Sequence, residues 1–260
     1  MTHELPLHGI TVVELGDGAS APFAGQILAE LGADVWKIER PEGDSARGWE
    51  WGEGRGVGRA FDALNRGKRF ISVDIDNDGD RYELQRLIDA RADVFIHDLC
   101  PRTTAAYGLD ADSLRVTNPD LIYCELTVGG QVGHAPSDGG PDPLGTVVSG
   151  SVGSTGDGAS SAVGEGSSVA LAAGMWSVIG ILAGLHRRET KHTGSAVAAS
   201  VLRSARSWTS VGVGGVGAHA PSPVAGLPLS FDGEWPPPAH EPRGIGHDNT
   251  AFYEITRSKR

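Results

Sequence analysis

An open, mostly parallel α/β sheet with helices on its faces is the fold this sequence predicts, and three observations predict it. Short β-branched runs alternate with helical stretches through the first half of the chain, and the runs are apolar at consecutive positions, as strands covered on both faces must be. The first β-loop-α-loop-β passage also fits the roughly 30 residues of a crossover unit, which is right-handed in nearly all sheets.

Each element has its own reason. Residues 10–15, ITVVEL, predict a strand, and the loop GDGASAP follows. Phe23, Ile27, Leu28 and Leu31 then recur at helical spacing behind Pro22, which suits a first turn, and Gly32 ends the helix. DVWKIER reads as the second strand and FISVDI, at 70–75, as the third. DRYELQRLIDAR, at 80–91, sets Leu84, Leu87 and Ile88 on one helical face, and DVFIH, at 93–97, returns to strand. LIYCEL, at 121–126, follows a short helix closed by NPD. Between Gly129 and Ser168 no apolar periodicity exists, the pattern of a functional or flexible loop. LAAGMWSVIGILAGLHRR, at 171–188, is too short in its apolar length and too basic at its end for a membrane span, so a buried core helix is expected. A further helix is expected from Ala196 to about Trp208. Beyond it glycine and proline dominate, predicting an extended tail until Asp248 caps a last helix, DNTAFYEI.

Composition narrows the function classes. The 260 residues carry 33 Asp plus Glu against 22 Lys plus Arg, a formal net charge of −11, so nucleic acid and anionic membranes are not expected partners. Two cysteines, Cys100 and Cys124, make no disulfide framework and no CxxC pair, and with no leader-like N-terminus the cytoplasm is the expected compartment. The 38 glycines are about twice the usual share of roughly 7%.

The chemistry visible in the residues is sparse. GDGASAP places backbone amides at a helix start, either a generic anion site or merely a tight turn, and it is neither GxGxxG nor a Walker sequence. Lys37, Arg40, Arg47, Arg55, Arg59, Arg66, Lys68 and Arg69 put eight cations within 33 residues. They read either as a local anion pocket or as a solvated face paired with Glu39, Glu42, Asp44 and Glu53. No GxSxG elbow, HExxH or paired histidine spacing occurs, so no metal is expected, and Cys124 reads as an inert buried thiol. His97 and Asp98 end a strand at the edge where open sheets bind ligands, the histidine reading as a polar loop residue.

Three long strings resemble a known family. LHGITVVELGDGASAPFAGQILAELGADVWKIERPEGDSAR, ALNRGKRFISVDI and ADVFIHDLCPRTTAAYGLDADSLRVTNPDLIYCEL are similar to the N-terminal region of the family III CoA-transferases, a group that includes the crotonobetainyl-CoA transferase and α-methylacyl-CoA racemase types. GMWSVIGILAGLHRRETKHTGSAVAASVL resembles the segment that follows, and AGLPLSFDGEWPPPAHEPRGIGHDNTAFYE the family's C-terminal tail. The resemblance implies a Rossmann-like large domain at 1–207, a Gly/Pro-rich linker at 208–246 in place of the family's small domain, and a returning C-terminal helix at 247–260. It further implies an interlocked dimer, with coenzyme A or acyl-CoA along Ala19, Ser20, Arg40, Arg47, Lys68, Asp98 and Leu99.

Two departures accompany the resemblance: the shortened form, and the position of the family's nucleophilic aspartate. That aspartate stands four residues before a Gly-Met pair, and counting back from Gly174 and Met175 reaches Ala170. A methyl group offers neither nucleophile nor base. The racemase acid/base pair would fall on Ala170 and Pro141, and the family's Asn-Phe pair is replaced by Asp98 and Leu99. The expectation is therefore a non-catalytic or partner-dependent acyl-CoA protein, forming a homodimer or pairing with a longer homologue. The alternatives are an isomerase, racemase or lyase that acts on a thioester or other small molecule through Asp142 or Glu165, and a small-molecule protein that has abandoned CoA.

Overall fold

The computed structural model describes residues 4–49, 58–127, 168–210 and 227–236. The elements, in chain order, are β1 (Thr11–Leu15), α1 (Ser20–Glu30), β2 (Asp34–Glu39), a 3-10 turn (Ser45–Gly48), α2 (Arg59–Asn65), β3 (Arg69–Ser72) and α3 (Asp78–Arg91). Then come β4 (Val94–His97), α4 (Pro101–Tyr107), α5 (Ala111–Thr117), β5 (Ile122–Thr127), α6 (Ser168–Lys191), β6 (Ser195–Ser200), α7 (Val201–Ser210) and β7 (Leu229–Phe231). The strands form one sheet in the order β3-β2-β1-β4-β5-β6-β7, parallel except for β7. The predicted α/β class is the observed one. Because β1 pairs with both β2 and β4, the winding direction reverses between them.

Strand alternation divides the core into two layers. Val12, Val94, Ile96, Ile122 and Cys124 face α1 and α6, whereas Val13, Leu15, Phe95 and Tyr123 face the layer that includes Leu84, Ile88, Leu109 and Leu114. Glycines set the close approaches: a β-carbon on Gly180 would stand 2.5 Å from Val197 Cγ1, and one on Gly174 would stand 2.6 Å from the Ser20 carbonyl oxygen. One face of α6 is thereby buried, as a core helix requires, while Met175, Ile179 and Leu182 stay exposed on the other.

Two expectations change. Residues 195–200 are strand β6 and not the start of a helix, because tertiary pairing overrides alanine's local preference: β6 is held between β5 and β7. Gly194 enters this strand so tightly that a β-carbon would stand 2.1 Å from the Leu121 carbonyl oxygen, and helix begins only at Val201. The segment expected as a linker also supplies a strand. β7 adds to the sheet edge, and Asp232, in the left-handed region at φ 50°, accepts the Ala196 N–H at 2.8 Å and pairs with Arg115 and Arg187.

Candidate functional site

The winding reversal opens a cleft at the carboxyl ends of β1, β2 and β4. Leu15, Gly16, Asp17, Ile38, Glu39, Arg40, Gly43, Asp44, Asp98 and Leu99 line about 330 Å³ of empty space, its open mouth included. Open α/β sheets bind ligands at this position.

The cleft rests on a buried ionic cluster. Glu14 and Lys37 are neighbours in the β1–β2 register and share the α1 face of the sheet, both with wholly buried side chains. Lys37 Nζ donates to Glu14 Oε1 at 3.1 Å and to the Gly16 carbonyl at 2.8 Å, and pairs with Asp44 Oδ2 at 2.7 Å. Lys68 Nζ meets Glu14 Oε2 at 2.7 Å, the Pro22 carbonyl at 2.7 Å and Asn65 Oδ1 at 2.8 Å. Burial disfavours both ammonium ions, but Glu14 and Asp44 outweigh it for Lys37, which is held above the usual lysine value. For Lys68 burial wins and brings it down to about 8. These contacts tie the loop after β1, the start of α1, the loop after β2 and α2 to one charged centre.

The same tying continues above it. Asp44 Oδ1 accepts from the N–H groups of Gly18 and Ala46, and Asp17 Oδ1 from those of Gly18 and Ser45. Gly18 adopts φ 72° beneath the Trp49 ring, a conformation and spacing that suit glycine. Asp98 Oδ2 accepts the Asp17 N–H at 2.9 Å. Burial pushes Asp98 up to about 7, with the negative charges of Asp17 and Glu14 adding to it, while the Asp17 N–H and Lys37 oppose it.

The expected site residues do not all converge. Arg40, Asp98 and Leu99 line the cleft, and Ala19 and Ser20 lie at the start of α1. Arg47 grips Glu39 with Nε and Nη2, both at 2.7 Å, and its guanidinium lies 3.7 Å from the Phe61 ring centre. Lys68 points inward, and its three contacts engage the three protons of its ammonium. Of the cations read together as one cluster, the described ones are dispersed: Lys37 and Lys68 are buried, Arg66 pairs with Glu30, and Arg69 with Asp34, while Arg55 lies outside the described residues. Asp142, Glu165 and Pro141 lie outside the described residues.

His97 corrects another expectation. It is a fully buried strand residue whose Nε2 lies 2.6 Å from the Tyr123 hydroxyl, and burial lowers it to about 3, so it is neutral. It faces the opposite layer from Glu14, since β4 aligns Ile96 with Glu14 and turns the next side chain over. Glu14 was missed as a member of the site, although a carboxylate inside the apolar run ITVVEL is itself a signal that a buried partner must exist.

Ala170 lies in the first turn of α6, four residues ahead of Gly174. Gly174 packs on Ser20, at the carboxyl edge of the sheet, and Gly184 packs on Ile122, at the start of β5. The helix therefore runs from the carboxyl edge of the sheet toward the opposite edge, and Ala170 lies toward the carboxyl edge.

Comparison with known proteins agrees with the resemblance. The chain matches CoA-transferase family III over residues 7–225. It is 40% identical over 188 residues to succinate–glutarate CoA-transferase of Agrobacterium fabrum, covering 69% of this chain and 47% of that protein. It is 34% identical to an acyl-CoA transferase of Fusarium pseudograminearum, covering 80% and 48%. Among solved structures, a CAIB/BAIF family protein from Brucella suis superposes with a TM-score of 0.64 at 34% identity, covering 78% of this chain and 55% of that one. The chain spans about half the length of the curated relatives it matches.

Proposed function

The chain belongs to CoA-transferase family III, and from that premise we propose that it binds coenzyme A or an acyl-CoA at the cleft between β1 and β4 without itself carrying the family's nucleophile. The observation that carries this reading is a cleft at the carboxyl edge of the sheet together with an alanine, Ala170, in the first turn of the helix that starts toward that same edge. Acyl transfer of the family type needs a carboxylate that forms a mixed anhydride and then a thioester, and an alanine methyl can form neither. On this reading the protein acts beside a partner that supplies the missing group, either a second copy or a longer homologue.

Among the expected ligand residues, Arg40 is exposed on the cleft wall, the right position for an anion, and α1 begins at Ser20, three residues after Asp17 of the same wall. Lys68 serves the site indirectly, by fixing Glu14 and the Pro22 carbonyl. Succinate and glutarate are named as substrates for some relatives, and a small carboxylic acid is the class proposed here.

Calorimetric titration with CoA tests the reading. Saturable binding that Arg40→Ala weakens, with no acyl exchange by the protein alone, is expected. Ordinary enzymatic transfer by the isolated chain would overturn the non-catalytic part, and absence of binding would overturn the CoA part. The second reading, an isomerase, racemase or lyase using Asp142 or Glu165, requires turnover that is lost in Asp142→Asn or Glu165→Gln.

A further inference from the structure

We propose that Asp98 couples ligand binding to proton uptake: an anion enters the cleft together with one proton, which Asp98 takes from solvent onto the oxygen that Asp17 does not hold. The inference rests on the reading that CoA or acyl-CoA occupies this cleft, and it goes beyond that reading by assigning the site a protonation requirement.

The geometry that carries it is the placement of a carboxyl group on the wall of a cleft already rich in carboxylates. Asp17, Glu39, Asp44 and Asp98 all line the space, and among the described residues Arg40 is the cation that shares the wall. Glu14 lies beneath, where its charge is balanced by Lys37 and Lys68. Lys37 is also shared with Asp44 and the Gly16 carbonyl, so it offers Asp98 only a distant field. Glu39 is matched by Arg47. The first turn of α1 carries no titratable side chain, His97 beside Asp98 is neutral and faces the opposite layer, and Arg102 of α4 is exposed. Among the described residues, the Asp17 N–H donates to Asp98 at 2.9 Å on Oδ2.

A phosphate or carboxylate brought into such a cleft adds negative charge where, among the described residues, Arg40 is the cation on the wall. An ionised Asp98 would repel it, whereas a protonated Asp98 removes that repulsion and supplies an O–H donor. The carboxyl of Asp98 stands at about 7 because burial and neighbouring charge already favour its neutral form, so the proton is taken up within the ordinary pH range. Linkage then requires affinity to fall as pH rises above that value, by up to about tenfold per unit.

The test is CoA calorimetry between pH 6.5 and 8.5 in buffers of different ionisation heat, on the intact protein and on Asp98→Asn. The amide keeps the acceptor for the Asp17 N–H and cannot titrate. CoA's own phosphate takes part equally in both titrations, so the difference isolates Asp98. The expected result is at least half a proton more taken up by the intact protein near pH 8, and a flatter affinity profile for the variant. Equal proton uptake and equal profiles overturn the coupling while leaving CoA binding intact; no CoA binding at any pH overturns both. Carboxyl-carbon NMR of the ligand-free protein gives an independent reading: a titration near pH 7 that is absent in Asp98→Asn supports the proposal, and ionisation of Asp98 near pH 4 overturns it. Asp17→Asn should move that midpoint downward.

Discussion

Gly25 of α1 lies directly against the carboxylate of Glu14 on β1: a β-carbon on the glycine would stand 1.9 Å from Glu14 Oε2 and 3.2 Å from Lys68 Nζ. The helix can cover this part of the sheet because one of its residues has no side chain, and the space so left holds the shared anion of two buried lysines. Glycine in a helix interior costs about 1 kcal/mol relative to alanine. Gly25→Ala should therefore stabilise the isolated helix yet destabilise the protein by about 3 kcal/mol, since the added methyl must displace a buried ion cluster. Denaturant unfolding measures it, and unchanged stability would show that the cluster can shift freely.

Removing charge from the centre should cost more than removing a surface pair. Glu14→Gln leaves Lys37 and Lys68 in the interior with one anion fewer, and a loss of about 3–5 kcal/mol is expected. Adding Lys68→Met should recover part of that loss. A double-mutant cycle with no coupling would contradict the shared role of Glu14.

Asp98 makes stability depend on pH with a definite sign. Its folded value near 7 lies above the ordinary aspartate value of 3.8, so the folded state binds the extra proton between the two. Stability from this group is thus greatest in acid and falls as pH rises from about 4 to about 7, then levels. Asp98→Asn should raise the melting temperature at pH 8, corresponding to about 1–2 kcal/mol, and give little gain at pH 4. A uniform gain across that range would contradict it.

Asp232 pins β7. It accepts the Ala196 N–H and meets Arg115 and Arg187, three ties from one turn to the strand and helices beside it. Asp232→Ala is expected to cost about 2 kcal/mol and to expose the β6–β7 amides to hydrogen exchange selectively. Protection that falls evenly over the whole sheet would argue against a local role.

Ala170→Asp tests the reading of the cleft edge. If an aspartate there meets the acyl group, the variant incubated with an acyl-CoA should take the acyl group as a mixed anhydride, releasing CoA, whose thiol then displaces the acid to leave an aspartyl-CoA thioester visible by intact-mass measurement; Ala170→Asn should not. Equal behaviour of the two variants would remove Ala170 from the account.

Much of the scaffold was legible because its signals are local. The apolar runs ITVVEL and LIYCEL, the closing Gly32 and the helical spacing of Leu84, Leu87 and Ile88 each settle the state of a few neighbouring residues. The family followed from long ordered strings of such residues, and the position of Asp98 at a strand end followed from the same reading. The β6 strand was not legible, since SAVAAS becomes extended only when β5 and β7 offer it hydrogen bonds. The cations of residues 37–69 were legible as a group but not in their directions. Lys37 and Lys68 turn inward because Glu14, the fifth residue of the run from Ile10 to Leu15, lies under α1, whereas Arg40 lines the cleft.

The sequence by itself determined the α/β class, the family and the alanine at position 170, because each depends on residue identity and short-range order. Tertiary structure alone decided which charges are paired inside the protein and which face the cleft, since two of the three partners of Lys68 are 54 and 46 residues away at Glu14 and Pro22 and meet only after β1, β2 and α1 have packed. A charge's solvation and neighbours, not its spacing in the chain, set its chemistry.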